Sequence, residues 1–394
     1  MRITIITLLL ACAASPASAD LLLYEGFDYT ITGSPTLLGG QTHPSGNQWL
    51  KPSAPTAEYT EVWAGSVGYE GLPAPTGNSA RVKRATPSSG ELRLSIPGQP
   101  YDRVNGGSYF FSFTMKLESF VNFAVGTGDA GAKTADARRG GFVGGFFGAP
   151  ASTSTGMTLG KSFAAPVYIR RELDYEALGT DGTPGAQTGR YEIGVQKRAE
   201  ASGIFDGTNS RGVVYDESVS YGVGETLLIV GEYKFVDTAI DGVADIARLW
   251  VNPTPGDLTA EANPTVVDDS AASLNLAGAL PIASFHWRND TNVPGNMFMD
   301  ELRIGTTFAD VLPTAPAGLP GDFNGDLVVD GNDFLLWQRG GTSPPLSPAA
   351  LQEWKDHFGQ VASSSLVNGV PEPASAVLAA LAGAGVLSMV RRRR

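Results

Sequence analysis

The stretch Tyr109–Leu117 reads YFFSFTMKL and alternates large apolar side chains with serine, threonine and lysine. Successive side chains of a β-strand point to opposite faces, so this alternation predicts a strand with one buried face. Similar runs follow, separated by Gly, Pro, Asn and Asp: Tyr191–Lys197, Thr226–Val236, Asp245–Val251, Pro281–Trp287 and Met297–Ile304. Almost nothing between Leu21 and Val311 has the period of an amphipathic helix. The pattern predicts an all-β, antiparallel sandwich of two sheets.

One tight hairpin is predicted inside this region. Asp241-Gly242 lies between the runs Thr226–Val236 and Asp245–Val251. Asp-Gly is favoured where a short turn needs positive φ, so these two runs are expected to pair as antiparallel neighbours.

Three segments carry a family resemblance. They are Leu22–Tyr29 (LLYEGFDY), Ala247–Pro253 (ARLWVNP) and Met299–Thr306 (MDELRIGT). Together they resemble the first, a late and the last strand of concanavalin A-like, laminin G-like jelly rolls. The resemblance implies a jelly-roll domain over residues 20–312, with its first and last strands side by side. It also implies a sugar-binding face on which aromatic rings stack.

The tryptophans are the candidate stacking residues, and their sequence contexts differ. Trp250 and Trp287 lie in or beside apolar strands and are predicted to be core. Trp49 and Trp63 lie in sequence rich in Pro and Gly, where exposure is more plausible. The three histidines, at positions 43, 286 and 357, share no spacing that indicates a zinc site.

One string has the composition of a catalytic site. Glu172-Leu-Asp174-Tyr-Glu176 would place three carboxylates on one face of a strand, as two-carboxylate glycoside hydrolysis requires. It resembles the Glu-x-Asp-x-Glu signature of family 16 glycoside hydrolases, which implies Glu172 as nucleophile, Glu176 as acid/base and Asp174 tuning their charge. A surface ion-pair cluster with the preceding arginines, Arg170 and Arg171, is the alternative.

After a linker at residues 313–320, the sequence indicates a cation-binding loop. Side-chain oxygens stand at loop positions 1, 3, 5, 9 and 12 and a main-chain carbonyl at position 7, a spacing that suits calcium: Asp322, Asn324, Asp326, Asp330, Asp333 and Val328. The pattern resembles a dockerin type I calcium loop and implies a small α-helical, EF-hand-like module at 321–359. Leu327 stands where that family has Gly, and only one loop is present, so a calcium-stiffened spacer is an alternative to a docking module.

The C-terminal segment predicts sorting at a membrane. After a flexible tether at 360–369, Pro371, Glu372 and Pro373 precede an apolar run, Ala374–Val390, and four arginines. This order resembles the PEP-CTERM tail (370–394) of exported bacterial proteins and implies a transient transmembrane helix and an exosortase-type partner. An ordinary C-terminal membrane anchor is the alternative.

The N-terminus predicts export. Arg2, an apolar stretch and Ala17-Ser-Ala19 form a signal peptide over residues 1–19, with cleavage between Ala19 and Asp20. Leu9–Cys12 resembles a lipobox, which makes acylation the alternative. Since Cys12 is the chain's one cysteine, cleavage at Ala19 leaves a mature protein without disulfides.

The charge balance excludes one class of partner. The 394 residues carry 40 acidic against 28 basic side chains, a net charge of −12. Five of the arginines lie in the predicted targeting segments, so the mature chain is more acidic still. Nucleic acid is therefore not an expected partner.

The sequence as a whole predicts an exported cell-surface or matrix protein that binds carbohydrate or a surface and is not an enzyme. Its fold is expected to be an all-β jelly-roll sandwich followed by the α-helical module and the C-terminal transmembrane helix. The alternatives are a glycoside hydrolase that uses Glu172 and Glu176, and a purely structural envelope component.

Overall fold

The computed structural model describes residues 21–33, 35–50, 60–83, 90–98, 106–119, 141–151, 162–173, 187–198, 213–236, 244–270, 275–276, 281–289, 296–314, 319–324, 328–342 and 345–361. The chain divides into two compact units, Met1–Thr314 and Ala315–Arg394. The first unit holds the sandwich, and the second holds a small helical body.

Within the described residues the first unit has sixteen strands. In chain order they are β1 (Leu21–Glu25), β2 (Thr36–Leu37), β3 (Thr60–Trp63), β4 (Ser79–Lys83), β5 (Gly90–Ser95), β6 (Gly107–Ser119), β7 (Gly141–Phe147), β8 (Phe163–Leu173), β9 (Gln187–Val195), β10 (Val214–Tyr215), β11 (Tyr221–Gly222), β12 (Thr226–Phe235), β13 (Ile246–Val251), β14 (Val266–Asp268), β15 (Ser284–Asn289) and β16 (Asn296–Gly305). A 3-10 helix at Leu258–Ala262 and helix α1 at Phe308–Val311 complete the unit.

These strands form two antiparallel sheets. The nine-stranded sheet has the order β14-β13-β12-β6-β16-β4-β3-β2, with β1 also paired to β16. The seven-stranded sheet has the order β10-β9-β8-β7-β15-β5, with β11 also paired to β9. The predicted all-β, antiparallel, two-sheet architecture is confirmed. The chain passes repeatedly from one sheet to the other, because β5, β7–β11 and β15 lie in the second sheet.

The core lies between the sheets and is rich in aromatic rings. From β6, Phe111 and Phe113 contact Phe285 and Trp287 of β15, with Phe113 and Trp287 centroids 5.0 Å apart. Trp287 is buried, as predicted. Gly231 of β12 lies under this cluster, where a Cβ would come within 2.1 Å of the Phe111 ring. Glycine at this central strand position therefore makes room for the phenyl ring.

The first and last strands are neighbours, as the resemblance implied. Leu23 pairs with Ile304 and Glu25 with Leu302. Strand β16 also pairs with β4 through its first residues and with β6 along its other side, and its register with β6 shifts between Asp300 and Arg303. This irregularity bends β16 where β1 begins to replace β4 as its partner.

The outer face of the nine-stranded sheet is covered by a second apolar cluster. Trp250 of β13 packs on Phe308 of α1 with centroids 5.0 Å apart, and Phe110 of β6 packs on both. Leu72, from the loop between β3 and β4, is buried in the same cluster. Burial of Trp250 confirms its predicted place in a core.

The second unit contains helix α2 (Gly331–Gln338) and helix α3 (Pro348–His357). Asp330 caps α2, and Asp333 completes a capping box with it. Trp354 of α3 packs on Phe334 of α2 at 4.9 Å and donates its indole N–H to the carbonyl of Asp330 at 2.7 Å. One tryptophan thus ties α3 to the start of α2.

Candidate binding pocket beside the first strand

A cavity of about 300 Å³ opens where β1 ends, and we call it the first-strand pocket. Its lining is Tyr24, Glu25, Gly26, Asp28, Tyr29, Thr42, His43, Pro44 and Thr76. The lining includes both rings and polar groups, and the volume lies at the lower end of the range for small-ligand sites. The sequence predicted a strand over Leu22–Tyr29, whereas β1 ends at Glu25, and it did not predict a pocket.

The backbone reverses sharply at the floor of the pocket. Phe27 has φ of 54° and Glu301, in the bent part of β16, has φ of 56°. Left-handed backbone at non-glycine residues costs of order 1 kcal/mol or more and persists where the surroundings fix it. Phe27 is fixed by stacking on Trp49, with centroids 6.2 Å apart and planes 20° apart. Its N–H donates to Oε1 of Glu25 at 2.6 Å.

Glu25 is a buried carboxylate held by three donors. Besides Phe27 N–H, its Oε2 accepts from the Trp49 indole N–H at 2.8 Å and from the hydroxyl of Tyr29. A carboxylate has about four lone-pair sites, so about one remains for another donor. Burial, followed by the nearby Glu25 charge, raises the pKa of the Tyr29 phenol, which therefore stays protonated as a donor.

Tyr24 forms the opposite wall. Its hydroxyl donates to Oε1 of Glu301 at 2.7 Å, and the guanidinium of Arg303 lies 4.9 Å from its ring centroid. Arg303 donates to Oε2 of Glu301 at 2.7 Å, so the cation behind the ring is already paired. Burial raises the pKa of Tyr24 to about 12, which keeps this hydroxyl neutral.

His43 lies at the edge of the pocket in one tautomer. Its Nε2 is 2.7 Å from the carbonyl oxygen of Tyr24, an atom that only accepts, so Nε2 carries the proton. Its Nδ1 then accepts from the N–H of Ser45 at 3.0 Å. Both ring nitrogens are therefore used within the protein.

Asp300 anchors a loop that reaches the pocket. It is fully buried, and its carboxyl accepts from the N–H of Val67 at 2.7 Å and of Glu301 at 2.8 Å. Burial raises the pKa of Asp300 to about 8, against the lowering effect of these two N–H groups. The loop from Ala64 to Asn78 that Val67 belongs to also supplies Thr76, whose hydroxyl lies 3.1 Å from that of Tyr24.

A second, larger cavity lies near the middle of the same loop, and we call it the Tyr69 groove. It has a volume of about 540 Å³ and is lined by Gly68, Tyr69, Glu70, Gly71, Thr226, Thr254 and Pro255. It has one tyrosine ring, which is half-buried, whereas the first-strand pocket has two tyrosine rings. Its exposed residues therefore offer matched control positions for variants of the first-strand pocket.

The outer face of the seven-stranded sheet holds a buried polar cluster, which the sequence did not reveal. We call it the Arg170 cluster: Arg93, Phe147, Phe163, Arg170, Glu192, Tyr215 and His286. Arg170 donates to Glu192 at 2.5 Å and to Glu217 at 2.8 Å and lies 4.0 Å from the Tyr215 ring centroid. Burial, then the charges of Arg93 and Arg288, hold the pKa of His286 well below its usual value.

The predicted catalytic carboxylates are only partly within the described residues. Strand β8 ends at Leu173, and Glu172 lies half-buried beside that end. Asp174 and Glu176 lie outside the described residues. The distance between the carboxyl groups of Glu172 and Glu176 is therefore not defined, and the hydrolase hypothesis stays a prediction.

Two tryptophans expected in loops behave differently. The expectation of exposure is wrong for Trp49, which is fully buried because its ring stacks on Phe27 and its N–H is needed by Glu25. Trp63 ends β3 and is 41% exposed. The guanidinium of Arg81 lies 3.4 Å from its ring centroid, so one face of that ring is already occupied.

The predicted calcium loop is described except for residues 325–327, which include Asp326. Asp333 is fully buried, and its Oδ1 accepts from the N–H groups of Phe323 and Asn324 at 2.8 and 3.1 Å. Its Oδ2 accepts from Asp330 N–H at 2.8 Å. The described part of the loop therefore surrounds this carboxylate, which keeps about one lone-pair site for another donor or a cation.

The donor set of this loop fits calcium in kind. It combines carboxylates, an amide and a main-chain carbonyl, all of them hard oxygen ligands. Among the described residues, no group of three or more His, Cys, Asp or Glu side chains is arranged to hold a metal ion.

The predicted export and sorting signals lie outside the described residues. These are the cleavage site at Ala19 and Asp20, the motif Pro371, Glu372 and Pro373, and the apolar run after it. In the part of the chain that is described, no helix combines the length and the apolar character needed to cross a membrane.

No protein-family model matches the chain, and no curated protein matches it in sequence. Among solved structures, it is similar to an alginate lyase from Chlorella virus, with 13% identity, coverage of 63% of this chain and 89% of the other, and a TM-score of 0.30.

Two further solved structures are similar to this chain at comparably low identity and TM-score. Domain 4 of an extracellular arabinanase from Geobacillus stearothermophilus, in complex with arabinotriose, matches at 15% identity, 75% and 97% coverage, and a TM-score of 0.29. A Shewanella oneidensis protein of unknown function matches at 8% identity, 74% and 88% coverage, and a TM-score of 0.34. Likenesses this distant do not indicate what the chain binds.

Proposed function

We propose that this chain is an exported cell-surface or extracellular-matrix protein whose sandwich binds carbohydrate without cleaving it. The observation that carries the proposal is the first-strand pocket. Sugar rings present apolar faces and many hydroxyl groups, and the pocket offers two tyrosine rings beside carboxylate and hydroxyl oxygens. The sorting tail, an exosortase-type enzyme and transient membrane anchorage belong to the same proposal and rest on sequence alone.

A glycan array with matched blocking variants tests this function. Thr42→Trp places a large side chain at the exposed rim of the first-strand pocket, and Thr254→Trp does the same at the Tyr69 groove. We expect the wild-type chain to bind at least one glycan, Thr42→Trp to weaken that binding at least tenfold, and Thr254→Trp to leave it within about twofold. Circular dichroism on both variants checks that the fold is retained.

Other outcomes overturn the proposal. Binding that is lost in Thr254→Trp but kept in Thr42→Trp would move the site to the Tyr69 groove. An array without any bound glycan would refute carbohydrate binding, and release of shortened product would support the hydrolase alternative.

We also propose that the helical unit binds one calcium ion through Asp322, Asn324, Asp326, Val328, Asp330 and Asp333. A bound divalent ion would offset the carboxylate charge of the loop and cross-link its two ends. The buried carboxylate of Asp333 inside the loop supports this assignment. Isothermal titration of the whole chain with calcium should give one site, at least tenfold weaker in Asp322→Ala and unchanged in Asp356→Asn, an exposed carboxyl on α3. Equal binding by all three proteins would contradict the assignment.

A further inference from the structure

Most side-chain donors of the first-strand pocket are already used within the protein. The exception is the Thr42 hydroxyl, which accepts from the Gln48 amide at 3.1 Å and keeps its own proton. The Tyr29 hydroxyl donates to Glu25, and Nε2 of His43 donates to the Tyr24 carbonyl. The single proton of the Tyr24 hydroxyl goes to Glu301, because a carboxylate only accepts. The hydroxyl of Thr76, 3.1 Å away, must then be the donor to Tyr24. The groups that remain available to a ligand are therefore mainly oxygen atoms that accept hydrogen bonds.

The pocket also carries uncompensated negative charge. Glu25 forms part of the floor, and Asp28 forms part of the rim. Asp28 is exposed, and no described side chain pairs with its carboxylate. Among the residues that the structure describes, no lysine or arginine lines the cavity. Arg303 lies behind the Tyr24 ring and is bound to Glu301 through both the carboxylate and the main-chain carbonyl.

Resting on the proposed carbohydrate function, we infer that the pocket takes a sugar that donates hydrogen bonds and carries no negative charge. The preferred class is an amino sugar with a protonated amine, followed by neutral hexoses. Uronate sugars are excluded. A carboxylate on the ligand would meet Glu25 and Asp28, and no cation among the described lining residues would offset the repulsion. Bringing like charges together in a buried site is unfavourable. A protonated amine instead gains a charge-assisted hydrogen bond to Asp28.

Three tetrasaccharides with β-1,4 links separate charge from shape: the glucosamine tetramer, cellotetraose and the mannuronate tetramer. Calorimetry at pH 6 and low salt should give affinity in that order, with at least a tenfold gap between the cationic and the anionic sugar. Asp28→Asn should weaken the glucosamine tetramer about tenfold and cellotetraose by less than about threefold. Glu70→Gln removes the same charge at the Tyr69 groove and should change neither.

The outcomes distinguish this inference from the proposed function. Mannuronate bound as tightly as cellotetraose, with both lost in Thr42→Trp, would overturn the charge preference and leave carbohydrate binding intact. Equal effects of Asp28→Asn and Glu70→Gln would attribute the preference to net charge and overturn the role of the pocket. Absence of binding by every sugar, on the array and here, would refute the proposed function itself.

Discussion

The first-strand pocket and the Arg170 cluster contain the same kinds of side chain and differ in what is left unpaired. Each has a histidine, aromatic rings and at least one carboxylate. In the Arg170 cluster the arginines lie inside, and Arg170 is 4% exposed and paired to Glu192. Among the described residues no cation lines the pocket, Arg303 lies behind the Tyr24 ring, and the carboxylate of Asp28 faces solvent. Composition alone therefore does not distinguish the two regions; the pairing of their charges and their access to solvent do.

The largest effect is expected at Asp300, beneath the pocket. Its folded-state pKa of about 8 lies above the usual 3.8, so its contribution to stability is fully present below pH 4 and is lost as the pH rises through 8. At 1.36 kcal/mol per pKa unit this amounts to at most about 6 kcal/mol. Urea unfolding between pH 4 and 8.5 should show a flatter pH profile in Asp300→Asn than in the wild type. Parallel profiles would contradict the assignment.

The ion pair in the Arg170 cluster should give the next largest effect. Glu192→Gln removes the buried carboxylate that pairs with Arg170 and should lower the free energy of unfolding by about 3 kcal/mol. The matched variant is Glu217→Gln, since Glu217 pairs with the same arginine but its side chain is 75% exposed. Its loss should cost less than about 1 kcal/mol. Equal losses in chemical denaturation would mean that burial does not distinguish the two carboxylates.

A hydrogen bond on the pocket floor should have a smaller effect. Tyr29→Phe removes the phenol that donates to the buried Glu25, and hydrogen bonds to charged groups contribute about 1.5–3 kcal/mol. We expect a loss of about 2 kcal/mol. Tyr221→Phe removes no hydrogen bond among the described residues. The free energy of unfolding, measured by thermal unfolding, should therefore change by less than about 0.5 kcal/mol. Similar losses of stability in Tyr29→Phe and Tyr221→Phe would indicate that the Tyr29 hydrogen bond contributes little to the free energy of unfolding.

The smallest effect on stability is expected at the pocket rim. Asp28→Asn changes an exposed carboxylate that has no partner among the described residues, so the free energy of unfolding should stay within about 0.5 kcal/mol of wild type. A loss above 1 kcal/mol in guanidinium unfolding would show that Asp28 supports the fold, and the pocket would then resemble the Arg170 cluster.

The sequence predicted several strands from alternating or clustered apolar residues and missed others, such as β7. Strands β6, β12, β13 and β16 correspond to predicted runs. Strand β7 reads GFVGGFF, and its glycines hide the alternation. At Gly144 a Cβ would lie 2.7 Å from the Trp287 ring, a contact between residues far apart in sequence. Local pattern therefore predicts faces of strands but not the close approaches between them.

The pocket could not be predicted for a related reason. Positive φ is rare at a bulky residue such as Phe27, so no sequence pattern predicts that the backbone reverses direction there. It depends on Trp49, whose ring and N–H reach Phe27 and Glu25 from a separate part of the chain. The predicted calcium loop differs because all its proposed ligands lie between Asp322 and Asp333, so their spacing in the sequence alone suggests a site.

The pairing of β1 with β16 has a mechanical consequence. Leu21 lies opposite Gly305, so the two ends of the sandwich are adjacent. Tension applied across these ends would load the short β1–β16 ladder before any strand of the central core. The same adjacency means that a short linker could join the ends and new termini could be opened in a distant loop, as in circular permutation. A sandwich with adjacent ends can therefore be inserted into a longer chain without moving the flanking segments far apart.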